Sequence, residues 1–384
     1  MPTRTDPQRI EVLRSDLRQT RAVPDPDATR ALADGQVRLQ VDHFALTSNN
    51  ITYAAFGEAM KYWQFFPCAD AAWGCVPVWG FAQVVESRAE GVAIGERVYA
   101  YLPMGSHLVV DAARVSAHGF IDAAAHRQAL AAVYNQLLFC RSDPAYVAAL
   151  EGQQAVLRPL FITSFLIDDF LEDNGFFGAQ QVILSSASSK TAYGTAHCLA
   201  LRRGRAGAGA GAGAGAPRSI GLTSAGNLEF TRGLGLYDEV RSYDSLTSMD
   251  PSVATVYIDF AGNAALRRQI HEHFGDSLRY SCSVGGTHWD EIGSGAGLPG
   301  PRPTLFFAPA QIKKRLAPPP DGWGGAGLQS RIATAWAGFM AAANGAAAPW
   351  LVIRSDRGEQ AVQAAYLALL DGRTDPRVGL MLSL

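Results

Sequence analysis

The chain has 384 residues, of which 48% are hydrophobic and 18% charged. That is apolar enough for a packed core and, at roughly 100–200 residues per domain, long enough for two or three domains. A formal net charge of -2 provides no global basic field, which argues against nucleic acid as a partner, and the 39 glycines follow no Gly-X-Y period, which excludes collagen.

Residues 1–30 are polar and mixed in charge, without the apolar centre of a secretory signal. No uninterrupted apolar stretch reaches the ~20 residues of a membrane helix. A soluble, cytoplasmic protein that does not bind a membrane is therefore expected. The alternation at 36–50 predicts a strand ending in a polar turn, and 76–86, 96–102 and 107–110 predict three more strands, with Gly91 and Gly95 between the first two. Short strands punctuated by turn residues indicate a compact β domain. Aromatic residues crowd the stretch from Tyr53 to Trp79, either as core filling or as the wall of a pocket.

From 123 to 177 the character turns helical. Leu157, Leu160, Phe161 and Phe165 recur at helix spacing, and Asp168, Asp169, Glu172 and Asp173 read as its solvated face. Strand–helix alternation follows. Strands are expected at 181–184, 219–223, 239–241, 255–259 and 278–284, and helices at 191–201, 227–236 and 264–274. This spacing predicts a parallel doubly wound sheet. The Gly-Ala tract at 204–216 cannot bury enough surface to fold and reads as a flexible surface insertion. The remainder, 301–384, reads as loop and helix, with a last helix at 359–370 and a small-residue loop at 343–348.

The five cysteines, Cys68, Cys75, Cys140, Cys198 and Cys282, are scattered and lack Cys-x-x-Cys pairing. They read as buried or incidental thiols, with no zinc site and no disulfide scaffold.

In a doubly wound sheet the ligand sits at the first strand-to-helix turn, here Ser185-Ser-Ala-Ser-Ser-Lys190-Thr191. Small residues let the backbone approach a pyrophosphate, the helix N-terminus offers N–H donors, and Lys190 adds a cation. A nucleoside-triphosphate P-loop would need glycines at Leu184 and Ser189, so that reading is set aside.

Ala45-Leu-Thr-Ser-Asn-Asn50 up to Gly57, Gly91-Val-Ala-Ile-Gly95-Glu-Arg-Val98, Val182-Ile-Leu184, Leu234-Gly-Leu-Tyr-Asp-Glu-Val240 with Tyr243, and Asp259-Phe-Ala-Gly262 occur in an order that resembles the medium-chain dehydrogenase/reductase superfamily. The resemblance is to its zinc-free quinone oxidoreductase branch. Asn49-Asn-Ile-Thr-Tyr53, Tyr62-Trp-Gln-Phe-Phe-Pro67 and Gly286-Thr-His-Trp289 resemble a narrower family of such reductase-like proteins of unknown function.

The resemblance implies an α/β chain with a GroES-like β domain (1–165), a Rossmann domain (166–309) and a C-terminal segment (310–384) returning to the first. It implies NADPH as cofactor, held by Ser186, Ser188, Ser189, Lys190, Thr191, Ser224, Asn227, Tyr243 and Gly262. The family's glycines would fall at Ser186, Ser189 and Ala192, so serine hydroxyls and Lys190 must supplement the backbone. NADPH rather than NADH follows from the absence of an acid before Glu229 at the end of the second strand.

No counterpart of the catalytic zinc ligands stands near Thr47 to Asn50, so the donors to a developing oxyanion are sought in Asn50, Thr52 and Tyr53, with His288 as a proton donor or as a structural His beside Trp289. The function expected is reduction of a small-molecule enone, quinone or carbonyl compound in the cleft between the domains. The alternative is a non-catalytic NADP-binding or partner-binding protein on the same fold, prompted by the eroded glycine pattern. A hydrolase or lyase using Ser188 or Ser189 lacks a Gly-x-Ser-x-Gly elbow. A homodimer stays open.

Overall fold

The computed structural model describes residues 6–206, 217–260, 262–284, 297–345 and 349–384. Its contacts divide the chain into two units, Met1–Arg158 with Leu351–Leu384, and Pro159–Trp350. The sequence reading puts the divisions at 165/166 and 309/310 instead.

The first unit opens with a hairpin that sequence patterning misses, β1 (Gln8–Leu13) and β2 (Asp16–Pro24). β1 buries Arg9 and Glu11 as well as Ile10 and Val12, so its polar–apolar alternation is not matched by one exposed and one buried face. The buried charges are matched by Asp25 and Asp27 for Arg9 and by Arg21 for Glu11. Then come β3 (Gln36–Leu46), α1 (Ser48–Ala55), β4 (Trp73–Gly74), β5 (Pro77–Ser87), β6 (Arg97–Pro103), β7 (His107–Ser116), β8 (Gly119–Asp122) and β9 (Gln136–Phe139).

β3 pairs with both β5 and β7, and the order β3-β5-β6-β9-β8-β7 closes on itself. Closure satisfies the backbone edges that an open sheet would expose. Its apolar faces enclose Val37, Leu39, Phe44, Val78, Val84, Val98 and Leu102. The helical expectation for 123–177 holds only from α2 (Glu151–Asp173) onward. Before it lie single 3-10 turns and β9, which is needed to bridge β6 and β8.

The second unit contains β10 (Gln181–Leu184), α3 (Lys190–Ala206), β11 (Arg218–Thr223), α4 (Leu228–Gly233), β12 (Glu239–Ser242), β13 (Thr255–Asp259), α5 (Ala264–Phe274), β14 (Leu278–Ser283), β15 (Thr304–Leu305), α6 (Ala308–Leu316) and α7 (Gly324–Gly345). All its strand pairings are parallel, in the order β12-β11-β10-β13-β14-β15. This is the doubly wound Rossmann arrangement, with the order reversing at β10. Val182, Leu184, Val256 and Ile258 pack against Ile167 and Leu171 of α2 and Ala192 and Leu199 of α3. Ile183, Ile220, Leu222 and Tyr257 pack on the other face with Leu266 and Ile270 of α5. Burial on both faces makes these strands short apolar runs.

Asp168 and Asp169 are not a solvated face: they are 5% and 2% exposed. Arg202 of α3 takes Asp168 through two hydrogen bonds, and Gln311 and Arg315 of α6 take Asp169. Helix α3 carries on through Gly204 to Ala206, and α7 through Ala343 to Gly345. The rest of the two small-residue tracts lies outside the described residues.

The chain returns to the first unit with β16 (Val352–Arg357), α8 (Glu359–Leu370) and β17 (Val378–Ser383). The expectation of loop and helix misses both strands. β17 pairs antiparallel with β3 and parallel with β16, extending the large sheet. β16 is exposed along most of its length, so no apolar pattern marks it. Among the described residues no helix is long and apolar enough to cross a membrane.

Candidate functional site

The candidate residues fall in both units, and each set is built by its own unit. In the second, β10 ends at Leu184 and the chain turns through Ser185–Ser189 into α3. Ser186 takes φ +47°, the left-handed region where glycine is at ease, and so explains the glycine that the resembled superfamily carries there. The Ser186 amide donates to the Tyr243 hydroxyl at 3.1 Å, and the Tyr237 hydroxyl donates to the Ala187 carbonyl at 2.8 Å. Two tyrosine hydroxyls thus hold a turn that has no glycine of its own. The Ala187 amide donates to the Leu222 carbonyl at 2.9 Å and the Ser189 amide to the Ser186 carbonyl at 2.7 Å. Ser189 Oγ accepts a long 3.4 Å bond from the Ala192 amide, in the manner of a helix N-cap.

The close approach the turn requires has moved to the neighbouring strand. A Cβ on Gly221 of β11 would lie 2.9 Å from the Ala187 Cβ and 3.0 Å from the Tyr237 ring. Gly221→Ala is therefore expected to destabilise the protein by about 1–3 kcal/mol through overpacking. Urea denaturation reads this directly, and an unchanged midpoint and slope would show that the turn yields at no cost.

Ser188 Oγ accepts from Asn227 Nδ2 at 3.2 Å and lies 3.4 Å from Thr223 Oγ1, which joins the turn to the end of β11. Beyond Thr223 come exposed Ser224 and then Ala225, Gly226 and Asn227, with no carboxylate. Thr191 is the second residue of α3 and its carbonyl accepts from Ser164 Oγ at 2.8 Å. Lys190 is the first residue of the same helix. At the end of β13, Asp259 Oδ1 accepts from Ser185 Oγ at 3.2 Å and from the Gly262 amide at 2.9 Å, where Gly262 takes φ +77°. The structure thus gathers Ser186, Ser188, Ser189, Lys190, Thr191, Asn227 and Tyr243 around one strand-to-helix turn. Gly262 and Ser224 stand at the neighbouring strand ends.

Ser185, Tyr237 and Asp259 also build this turn, and sequence reasoning had not singled them out as site residues. Tyr237 and Asp259 lie in motifs already noted, but only the folded turn shows which atoms they bond.

In the first unit, Asn50 and Tyr53 lie on α1. Asn50 is 3% exposed and its amide group is committed. Its oxygen accepts from the Thr47 amide at 2.7 Å, closing a capping box, and its nitrogen donates to the Pro77 carbonyl at 2.8 Å. The expectation that Asn50 is a substrate donor gives way to a structural role: it anchors the helix that carries Tyr53 to β5.

Tyr53 is 5% exposed, with ring centroids of Tyr62, Tyr101 and Tyr134 at 4.5, 5.7 and 6.4 Å. Its hydroxyl neighbours are Trp79, Asn49 and Tyr134. Burial, reinforced by Tyr62, pushes the phenol far above its ordinary range despite those polar neighbours. Tyr53 therefore holds its proton and suits a hydrogen-bond donor better than a proton source. His288 lies outside the described residues. Among the described residues, no group of three or more His, Cys, Asp and Glu side chains is arranged to hold a metal ion.

The family model described as "Protein of unknown function (DUF2855)" matches residues 44–375. No curated protein matches the sequence. Among solved structures the chain is similar to CurA from Vibrio vulnificus in complex with NADPH, with TM-score 0.61 and 12% identity over 98% of each chain. It is similar to the quinone oxidoreductase from Coxiella burnetii, with TM-score 0.54 and 12% identity over 99% of this chain and 100% of that one. The yhdH oxidoreductase from Salmonella enterica in complex with NADP gives TM-score 0.51 and 13% identity over 95% and 96%. The shared property is the fold, a GroES-like β domain with a Rossmann domain.

Proposed function

The chain belongs to the DUF2855 family, and from the site built on its fold we propose that it is a reductase that uses NADPH, without zinc, to reduce an enone, quinone or carbonyl compound. One observation carries the cofactor choice. β11 ends at Thr223 and is followed by Ser224 with no carboxylate through Asn227, where an acid would otherwise accept from a ribose hydroxyl and repel a 2′-phosphate. The CurA complex with NADPH and the yhdH oxidoreductase complex with NADP support a nicotinamide cofactor on this fold.

The residues present fit such a group. Hydroxyls of Ser186, Ser188 and Thr191, the amino terminus of α3 and the Lys190 cation form a donor set suited to a diphosphate. Tyr243, Ser224 and Asn227 offer neutral donors for the adenosine half. Reduced nicotinamide, when bound, supplies the hydride. Tyr53 would donate a hydrogen bond to the substrate oxygen as negative charge develops, its raised pKa keeping that donor protonated, and the proton that completes the reduction would come from water. Asn50 fixes the start of the helix that presents it.

A second reading, a non-catalytic NADP-binding or partner-binding protein, is favoured by the turn itself. The amides of Ser186, Ala187 and Ser189 are already hydrogen-bonded within the protein. Titration of the purified protein with NADPH and NADH, followed by NADPH oxidation with a panel of quinones and enones, separates the two. NADPH is expected to bind the more tightly and to be consumed. Equal or tighter NADH sinks the cofactor choice, and tight NADPH binding without oxidation by any acceptor replaces the reductase by the second reading.

A further inference from the structure

Arg9, Arg127, Arg267 and Arg315 are the buried arginines among the described residues. Arg9 is matched by Asp25 and Asp27, Arg127 by Asp122, and Arg315 by Asp169 and Asp173. Arg267, 5% exposed, has no carboxylate partner among the described residues, and its Nη2 makes no hydrogen bond. A buried cation without a counter-ion is costly, and a fold tolerates it where an anion arrives later.

Its place in the fold says which anion. Along β13, Val256 and Ile258 face α2 and α3, whereas Tyr257 faces α5. By the same alternation Asp259 faces α5, and so does Ser185, two residues beyond Ile183. Ser185 Oγ and Asp259 are hydrogen-bonded there, directly under the turn. Arg267 is the fourth residue of α5, and helix side chains lean toward the amino terminus. For α5 that end follows Asp259 and Gly262, at the carboxyl edge of the sheet where ligands bind. Burial pushes the Tyr257 phenol well up and Asp259 adds to the rise, while the neighbouring Ser185 hydroxyl and the Arg267 charge oppose it. One phenol thus senses both the turn and the arginine. Asp259 Oδ1 is held by the Ser185 hydroxyl and the Gly262 amide.

We infer that Arg267 receives the diphosphate of the dinucleotide beneath the Ser185–Ser189 turn. The inference rests on the function proposed above and adds to it the charge that the serine-rich turn lacks. The diphosphate is chosen over the 2′-phosphate because β13 lies beside β10, whereas the end of β11 lies on the far side of β10.

The test compares NADPH and NADH binding, by calorimetry or nicotinamide fluorescence, in the wild type, Arg267→Met and Arg267→Lys. Arg267→Met is expected to weaken both dinucleotides by the same factor, roughly 10–100-fold for one charge-assisted contact. Arg267→Lys restores part of that loss. Without ligand, Arg267→Met melts at or above the wild-type temperature, because an unpaired buried charge has been removed. A lower melting temperature without ligand makes Arg267 a structural residue and overturns the inference, as does unchanged binding in a folded variant. Weakening of NADPH alone overturns the choice of the diphosphate. A wild type that binds neither dinucleotide removes the proposed function first and this inference with it, an outcome distinct from a wild type that binds and a variant that binds equally well.

Discussion

Tyr53→Phe is expected to lower turnover by roughly 10²–10³-fold while leaving NADPH binding unchanged. The substitution removes one oxygen and keeps a ring packed among Tyr62, Tyr101 and Tyr134, with the nearest centroid at 4.5 Å. The surrounding wall is neutral and aromatic, so a hydrogen bond to a developing oxyanion is worth more there than in water. Neighbouring hydroxyls are also pushed up by burial, Tyr62 and Tyr134 among them, so none supplies a competing charge at neutral pH. Steady-state turnover with the best acceptor from the panel, together with a cofactor titration, separates chemistry from binding. Wild-type turnover in a folded Tyr53→Phe protein would make the hydroxyl a packing element.

Asp122→Ala is expected to cost about 3–5 kcal/mol of unfolding free energy, the usual result of stripping one partner from a buried ion pair. The Asp122 and Arg127 side chains are each 2% exposed, with Arg127 Nε 2.9 Å from Asp122 Oδ2. The contact is an ion pair rather than a well-directed hydrogen bond. Asp122 Oδ1 also accepts from the amides of Asp111 and Ala124, at 3.2 and 3.0 Å, so alanine leaves two amides and a guanidinium unmatched. The guanidinium lies 4.7 Å from the Phe66 ring centroid, which compensates only part of the charge. Asp122→Asn keeps the acceptor for the amides and is expected to cost less. Denaturant unfolding of the three proteins checks the order, and a loss below about 1 kcal/mol for alanine would mean that the guanidinium finds water.

Local pattern was enough wherever an element is buried by its own side chains. The runs 181–184, 255–259 and 264–274 coincide with β10 (Gln181–Leu184), β13 (Thr255–Asp259) and α5 (Ala264–Phe274). A parallel strand covered on both faces must be an apolar run, and an amphipathic helix must show its period. The turn after β10 was legible for the same reason, since small residues between a strand and a helix carry a backbone constraint that is local. Order and spacing of such pieces sufficed to anticipate a β domain followed by a Rossmann domain.

What chain-local signals do not carry was decided by distant partners. Asp168 reads as solvated until Arg202, 34 residues away, reaches it, and Asp169 until Arg315, 146 residues away, does the same. Asn50 reads as a free donor until Pro77 takes its amide. β16 has no pattern because it is an exposed strand whose pairing with β17 is made through backbone groups. Composition and periodicity report how much each segment must bury. Which polar group meets which is settled only when the chain closes, because hydrogen bonds and ion pairs depend on distances that sequence separation does not measure.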